Sequence, residues 1–204
     1  MIHRKLWSVC KRLSNAERLD ALRKVLLSLD AMSVSQISEK LHLQEAATSQ
    51  YLAQLEFDCG LIAPERKGRY VCYRPEADPE DPRCEKLLQA LQDFFRQEAQ
   101  TLRLPLAYPQ SAPAFARGLP ALSNEGRIRI CLHLRHGGNP SIALLYKLIN
   151  QCESGIRRHL DIIAKAGLGE WRNTGYFWKE PTDPILRLFL DLLEEEYCPR
   201  KLLQ

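Results

Sequence analysis

The sequence predicts a mainly α-helical protein with small β-hairpins, an α+β fold in which one folding module occurs twice. Two observations predict this fold class. Apolar residues recur at three- and four-residue spacing along several segments, which is typical of amphipathic helices. Short segments of the first half also reappear in the same order in the second half, which indicates an internal duplication.

Four segments of the first half have a counterpart later in the chain, at separations that fall from 109 to 102 residues. In chain order the pairs are 13–19 with 122–128, Gly60-Leu61 with Gly167-Leu168, Gly68 with Gly175, and Asp81-Pro82 with Asp183-Pro184. The separation only decreases along the chain, as expected if the second copy carries a few short deletions.

Three helices are predicted at the start of the first copy. Ser14 or Asn15 can cap the first helix, and Ser33 can cap a short second helix, because their side-chain oxygens can accept hydrogen bonds from the first turn. A third helix begins near Gln44 and ends at Gly60, since glycine adopts the left-handed conformation that often follows a helix.

A β-hairpin and a last helix complete the first copy. Two β-type runs, 61–64 and 70–73, are joined by the basic sequence ERKGR at 65–69. The last helix opens near Asp81-Pro82, where proline suits the first turn, and carries an apolar stripe from Leu87 to Phe95.

The second copy has the same predicted layout. Its helices span 124–134, 141–150 and 153–166, its hairpin spans 168–179, and its last helix spans 183–197. Four prolines lie in the stretch 102–121, which is typical of a linker, although Phe115 and Leu119 are expected to pack. The predicted domains are 1–101, with an N-terminal helix and a C-terminal packing helix, then the linker 102–121, then 122–204.

Three helices followed by a β-hairpin is the order of winged helix-turn-helix modules. Residues 48–55 (TSQYLAQL) with Gly60-Leu61 resemble the recognition-helix signature of the ArsR family of bacterial transcription regulators. Residues 158–160 (RHL) and 166–168 (AGL) of the second copy resemble it more closely. The resemblance implies two tandem winged-helix domains, each with a DNA-binding helix, a wing and a last helix used for dimerisation.

The chain also departs from the family pattern. Tyr51 stands where histidine is usual, and Arg157 stands where serine is usual. The first copy has one extra residue between Leu52 and Gly60. The cysteine pair of the metal-sensing members is missing from the segment 33–39, so no metal and no cofactor are predicted.

The predicted DNA-contacting residues lie on the third helix and the hairpin of each copy. In the first copy they are Thr48, Ser49, Gln50, Tyr51 and Gln54 on the helix, and Arg66, Lys67 and Arg69 in the wing. In the second copy they are Arg157, Arg158 and His159 on the helix, and Arg172 and Asn173 in the wing. Glutamine can bind adenine and arginine can bind guanine, whereas basic wing residues neutralise phosphates. Because the two faces differ, the preferred site is expected to be asymmetric.

The charge distribution leaves two functions open. The net charge is +4, but residues 13–100 carry −4 and residues 122–204 carry +2. An acidic module binds DNA only if its charge is segregated, and the basic hairpin tip indicates that it is. The main prediction is a sequence-specific DNA-binding transcriptional regulator. The alternative is a winged-helix scaffold for protein–protein interaction without direct DNA reading.

The duplication suggests how the modules assemble. The wide apolar stripes of the two last helices predict that these helices pack together as an intramolecular pseudo-dimer, in the way two subunits of such a regulator would. A homodimer of four modules is the alternative.

Other sequence features bear on the location of the protein, on enzymatic activity and on ligand binding. No apolar stretch is long enough for a membrane span or a signal peptide, so a cytoplasmic protein without a membrane partner is expected. Phosphate-binding glycine loops and nucleophile motifs are missing, so an enzyme is not expected. Seven scattered cysteines suit reduced, buried thiols. A small effector is possible beside Trp171, Tyr176 and Trp178, although such aromatics are more often core.

Overall fold

The computed structural model describes residues 5–102, 113–138, 140–172 and 175–197. Over these residues the protein is mainly helical with small antiparallel sheets, which confirms the predicted α+β class. The chain divides into two compact units. No helix among the described residues is long and apolar enough to cross a membrane.

The first unit holds three helices, a hairpin and a last helix in that order. The first helix of the described residues is α1 (Leu6–Leu13), which belongs to the second unit. The first unit contains α2 (Ala16–Leu26), β1 (Met32–Ser33), α3 (Val34–Leu41), α4 (Glu45–Gln54), a π-helical turn (Leu55–Cys59), β2 (Ile62–Lys67), β3 (Tyr70–Pro75) and α5 (Pro82–Leu102).

Helix α2 is the centre of the first unit. It packs against α3, α4, β3 and α5 and buries Leu22 and Val25 completely. Its buried Arg23 reaches α5, where Nη2 lies 2.5 Å from Glu98 Oε2 and the guanidinium lies 4.9 Å from the centre of the Phe95 ring. A buried guanidinium needs such partners because burying an unpaired charge is costly.

The sheet of the first unit has the strand order β1-β3-β2. Met32 of β1 pairs with Tyr73 of β3, and the β2–β3 hairpin closes at the pair Lys67–Tyr70. The two-residue turn starts at Gly68, whose φ of 63° suits glycine at the first position of a type II′ turn. This turn places the basic sequence at the tip of the hairpin.

The second unit repeats the order of the first. It contains α1, a short 3₁₀ helix (Ala114–Arg117), α6 (Leu119–Leu122), α7 (Glu125–Arg135), α8 (Ile142–Ile149), α9 (Glu153–Lys165), β4 (Gly169–Arg172), β5 (Gly175–Trp178) and α10 (Pro184–Tyr197). Helix α7 takes the central place that α2 has in the first unit, since it packs against α8, α9, β5 and α10.

Helix caps occur at matching positions in both units. Asn15 and Asn124 cap α2 and α7, each by accepting a hydrogen bond from the backbone N–H three residues on. Ser33 and Ser141 cap α3 and α8 in the same way. The repeat is therefore also present in the local backbone geometry, because each cap pairs the equivalent N–H of the first helical turn.

The extra residue of the first copy lies in the π-helical turn. The backbone N–H of Leu61 donates to Leu55, six residues back, whereas that of Leu168 donates to Ile163, five residues back. The turn therefore accommodates one inserted residue and returns the chain to an equivalent hydrogen bond. The insertion pushes Phe57 outward, where its side chain is 67% exposed.

The structure corrects two predicted domain boundaries. Helix α1, predicted within 1–101, belongs to the second unit, where it packs against α6 and α10. Its apolar stripe, which includes Leu6 and Leu13, is buried, and the Leu6 N–H donates to Glu196 Oε2 at 3.1 Å. The C-terminal segment of the second unit also begins at Pro113 rather than at 122. Phe115 and Leu119 of the predicted linker are fully buried, because this segment covers its core.

Candidate nucleic-acid interface

Helix α4 exposes fewer of the predicted contact residues than expected. Ser49 and Gln50 are exposed. Thr48 is 0% exposed, and its Oγ1 donates to the Gln44 carbonyl at 3.1 Å. The prediction of an outward Thr48 is wrong because Thr48 lies one turn before the buried Leu52, on the same face of the helix.

Tyr51 and Gln54 are only partly available. The Tyr51 hydroxyl donates to the Glu17 carboxylate of α2, and this hydrogen bond is the main cause of the raised pKa of Tyr51. The Arg18 guanidinium lies 5.4 Å from the centre of the Tyr51 ring. Gln54 is half-buried, and its Oε1 is buried without a hydrogen-bond partner among the described residues. The freely exposed side chains of this predicted set are therefore those of Ser49 and Gln50.

The hairpin tip of the first unit carries an uncompensated positive charge. Arg66, Lys67 and Arg69 are exposed, and none of them forms an ion pair within the described part of the chain. Arg69 donates from Nη2 to the Tyr70 hydroxyl at 2.9 Å. Arg74, further down β3, instead pairs with acidic side chains. We call these three cations the basic tip. They are available to an anionic partner.

Helix α9 presents two adjacent arginines in different electrostatic surroundings. Its apolar residues Ile156, Leu160 and Ile163 are buried, which turns Arg157 and Arg158 outward. Arg157 Nη2 lies 2.8 Å from the carboxylate of Glu153, one turn earlier. Arg158 forms no ion pair with any described residue. Arg158 is therefore the stronger candidate for contact with a nucleic acid.

His159 lies at the edge of a polar cleft. The side chain is half-buried, and its Nδ1 is buried without a hydrogen-bond partner among the described residues. Burial, followed by the charges of Arg127 and Arg158, lowers the pKa of His159. The cleft has a volume of about 420 Å³. It is lined by Asn124, Glu125, Gly126, Arg129, Ile149, Gln151 and His159.

The predicted wing residues of the second unit offer less positive charge than the basic tip of the first unit. Arg172 Nη2 lies 2.5 Å from Glu170 Oε1, and the guanidinium lies 5.0 Å from the centre of the Phe177 ring. Asn173, also predicted to contact DNA, lies outside the described residues. The only cation described in this predicted wing set is therefore partly neutralised by its neighbour.

Two groups of residues differ from their prediction. Five cysteines are buried, as expected, but Cys152 is exposed at the N-cap of α9, and Cys198 lies outside the described residues.

Trp171 and Tyr176, two of the three residues predicted beside a small effector, line a cavity of about 320 Å³ in the second unit. Trp178 is not in the lining, and its Nε1 donates to Glu180 Oε2 at 2.6 Å.

Each unit thus offers exposed, unpaired cations: the basic tip in the first and Arg158 in the second. Comparisons with protein-family models, curated proteins and solved structures find no match for this chain. Its function is inferred from its own residues.

Proposed function

We propose that this protein is a sequence-specific, double-stranded-DNA-binding transcriptional regulator. In this proposal each unit is a winged-helix module, and the two modules read unequal halves of an asymmetric site. The exposed, unpaired cations carry the proposal, because phosphate neutralisation supplies most of the affinity of DNA-binding proteins. They lie on the third helix and the hairpin, the elements with which winged-helix proteins contact DNA.

The two units divide the work unequally. The first unit brings the basic tip but only two freely exposed polar side chains on α4, Ser49 and Gln50. Its main contribution is anchoring to phosphates, which carries no sequence information. The second unit brings Arg158 on α9, and an arginine can read guanine through two hydrogen bonds. Its main contribution is base recognition.

A protein-interaction role is the second candidate, and α8 favours it. Leu144 and Tyr146 are 45% and 52% exposed on this helix. The corresponding positions of α3 hold Gln36, which is exposed, and Ser38, which is buried. An apolar outer face on the helix before α9 is unsuited to phosphates and is typical of a surface that meets protein.

The test of DNA binding is selection of duplexes from a random library by the full chain, followed by a salt titration of the selected site. We expect an enriched, non-palindromic sequence and an affinity that falls steeply with salt, because binding releases counterions. Absence of an enriched sequence, or a flat salt response, would leave the protein-interaction function as the better explanation.

Variants separate reading from anchoring. Arg158→Ala should relax base preference at one position and cost about 1–3 kcal/mol on the selected site. Lys67→Ala should weaken all sequences about equally and reduce the salt slope by about one. Arg157→Ala is the matched control for Arg158, because its guanidinium is already held by Glu153. If Arg157→Ala has the larger effect on base preference, the assignment of Arg158 as the reading residue is wrong.

The assembly of the modules stays a prediction. The stripe on α10 that motivated a pseudo-dimer is buried within the second unit, where α1 and α7 pack against α10. Sedimentation of the full chain at micromolar concentration separates a monomer with paired modules from a homodimer.

A further inference from the structure

The contact between the third helix and the central helix differs between the two units. In the first unit, the Tyr51 hydroxyl of α4 donates to the carboxylate of Glu17, which lies in the first turn of α2. Asn15 and Asn124 are matching helix caps, so Gly126 of α7 stands in the place of Glu17. The second unit therefore lacks the side chain that accepts this hydrogen bond in the first.

His159 of α9 stands in the place of Tyr51. The buried Leu52 and Leu160 follow Tyr51 and His159 directly, and α4 and α9 both pack against the central helix of their unit. The Nε2 of His159 lies 3.8 Å from the position that a Cβ atom on Gly126 would take. The histidine therefore faces the space that the glutamate side chain fills in the first unit.

The polar cleft of about 420 Å³ occupies this space. Gly126 and His159 both belong to its lining. Arg129 lines the same cleft, and its Nη2 lies 2.7 Å from Glu125 Oε1. The volume falls in the range of small-molecule sites, which is about 300–1,000 Å³. The cleft is large enough for a small organic molecule.

The charges around His159 favour an anion in the cleft. In the first unit, Glu17 raises and Arg18 lowers the pKa of the corresponding tyrosine, so charges of both signs act there. In the second unit, the charges that shift the pKa of His159 are those of Arg127 and Arg158, and both are positive. The carboxylate of the first unit is missing from the second, whereas the arginine charge is retained.

The imidazole of His159 can donate a hydrogen bond into the cleft. A neutral histidine carries its single ring proton on one of the two nitrogens. The Nδ1 atom is buried without a partner among the described residues, so a proton there would have no acceptor. The proton is better placed on Nε2, which faces the cleft. An acceptor bound in the cleft would complete the hydrogen bond.

We propose that the cleft beside His159 binds a small organic carboxylate, which takes the place of the Glu17 side chain and accepts a hydrogen bond from Nε2. The first unit identifies the ligand chemistry, because there a carboxylate occupies the equivalent position. Arg129 offers further donors on the wall of the cleft. This site goes beyond the proposed DNA-binding function and does not depend on it.

The first experiment titrates the full-length chain with acetate, glutarate and benzoate at constant ionic strength. Each carboxylate is compared with its uncharged amide, and inorganic phosphate is a further comparison. Binding is followed by NMR of the histidine side chains. We expect the carboxylates to shift the His159 imidazole signals and to leave those of His133 and His136 unchanged. The amides should bind roughly tenfold more weakly, since they lack the charge that strengthens the hydrogen bond.

A variant supplies the carboxylate from the chain itself. Gly126→Glu places an acidic side chain in the first turn of α7, where negative charge is favourable. The added Cβ meets Asn124 Oδ1 at 3.3 Å, which requires only a small adjustment of that side chain. We expect roughly tenfold weaker binding of the carboxylates. The variant without ligand should show His159 signals like those of the liganded chain.

Gly126→Ala is the matched control, because it adds the same Cβ without a carboxylate. It should bind within about threefold of the unchanged chain. The proposal is overturned if no carboxylate shifts the His159 signals at millimolar concentration, or if the amides or phosphate bind as tightly. It is also overturned if Gly126→Glu binds as the unchanged chain does, or if both substitutions weaken binding equally. None of these measurements involves DNA, so they separate this site from the proposed function.

Discussion

Two neighbouring arginines show how much a single partner changes the chemistry available at a surface. Arg157 and Arg158 are both exposed on α9, yet Glu153 holds Arg157 while Arg158 has no ion pair among the described residues. An exposed pair of this kind contributes little to stability, because solvent screens it. It still lowers the positive charge offered to a phosphate, so adjacent residues are not equivalent contacts.

His159 gives a prediction at the residue scale. Its pKa is lowered from the ordinary value of 6.5, first by burial and then by Arg127 and Arg158. Because the unfolded chain binds this proton more readily, the folded state loses stability as pH falls from 6.5 through the folded-state pKa. Well above 6.5 the histidine is neutral in both states and no loss occurs. His159→Gln should therefore show a smaller loss of unfolding free energy between about pH 7.5 and 5.

The measurement is chemical denaturation at a series of pH values, and Arg158→Gln is an informative control. It keeps the histidine but removes one of the charges that repel its proton. The loss of unfolding free energy on acidification should be smaller for Arg158→Gln than for the unchanged chain and larger than for His159→Gln. Identical pH profiles for His159→Gln and the unchanged chain would contradict the prediction.

At the scale of elements, the third helices end differently although they serve the same place in the fold. Helix α9 ends at the turn containing Gly167, whereas α4 continues through the π-helical turn to Gly60. Both glycines have positive φ, and the leucine after each returns a hydrogen bond to Leu55 or Ile163. The insertion is therefore absorbed locally, without displacing the strand that follows.

A deletion tests this interpretation of the π-helical turn. Removing Phe57, an exposed residue of the turn, should leave the first unit folded, because the remaining spacing from Leu55 to Gly60 equals that from Ile163 to Gly167. Removing Lys165 from α9 is the matched control. Helix α9 contains no inserted residue, so the deletion shifts the positions of its buried side chains. We expect the unfolding free energy to fall by about 2–5 kcal/mol, as when a buried aliphatic side chain is lost.

Denaturant titrations followed by circular dichroism compare the two deletions. The expected order is a small change for the Phe57 deletion and a large one for the Lys165 deletion. Equal losses would show that the π-helical turn is required for folding rather than tolerated.

At the scale of the whole molecule, the N-terminal helix completes the second unit. Helix α1 precedes the first unit in sequence, yet it packs against α6 and α10, close to the other end of the chain. The two units are therefore not successive segments of sequence. Loss of the N-terminal residues should affect the second copy of the repeat rather than the first.

Val9→Asp tests this assignment. Val9 is 2% exposed, and a carboxylate there is buried without a partner, so we expect a loss of about 3 kcal/mol in unfolding free energy. Hydrogen exchange should accelerate in α6 and α10 and stay unchanged in α2 to α5. Lys11→Ala, at an exposed position of α1, is the control. Faster exchange confined to the first unit would contradict the assignment of α1.

Much of the local structure follows from the sequence. Apolar spacing, the capping residues Asn15 and Ser141, and the glycines at helix ends predict the order of the elements, because these signals act within a few residues. The repeat is equally visible in the sequence. The pairing of Arg157 with Glu153 also had a local signal, since the two are one helical turn apart.

Only the tertiary structure decided which faces meet. The stripe on α1 predicted that this helix packs but not on which unit, because the hydrophobic effect has no direction. The sequence predicts that Tyr51 faces outward, whereas in the structure its hydroxyl donates a hydrogen bond to Glu17 of α2. The sequence determined the elements and their repetition, whereas long-range packing decided which of their polar groups stay free.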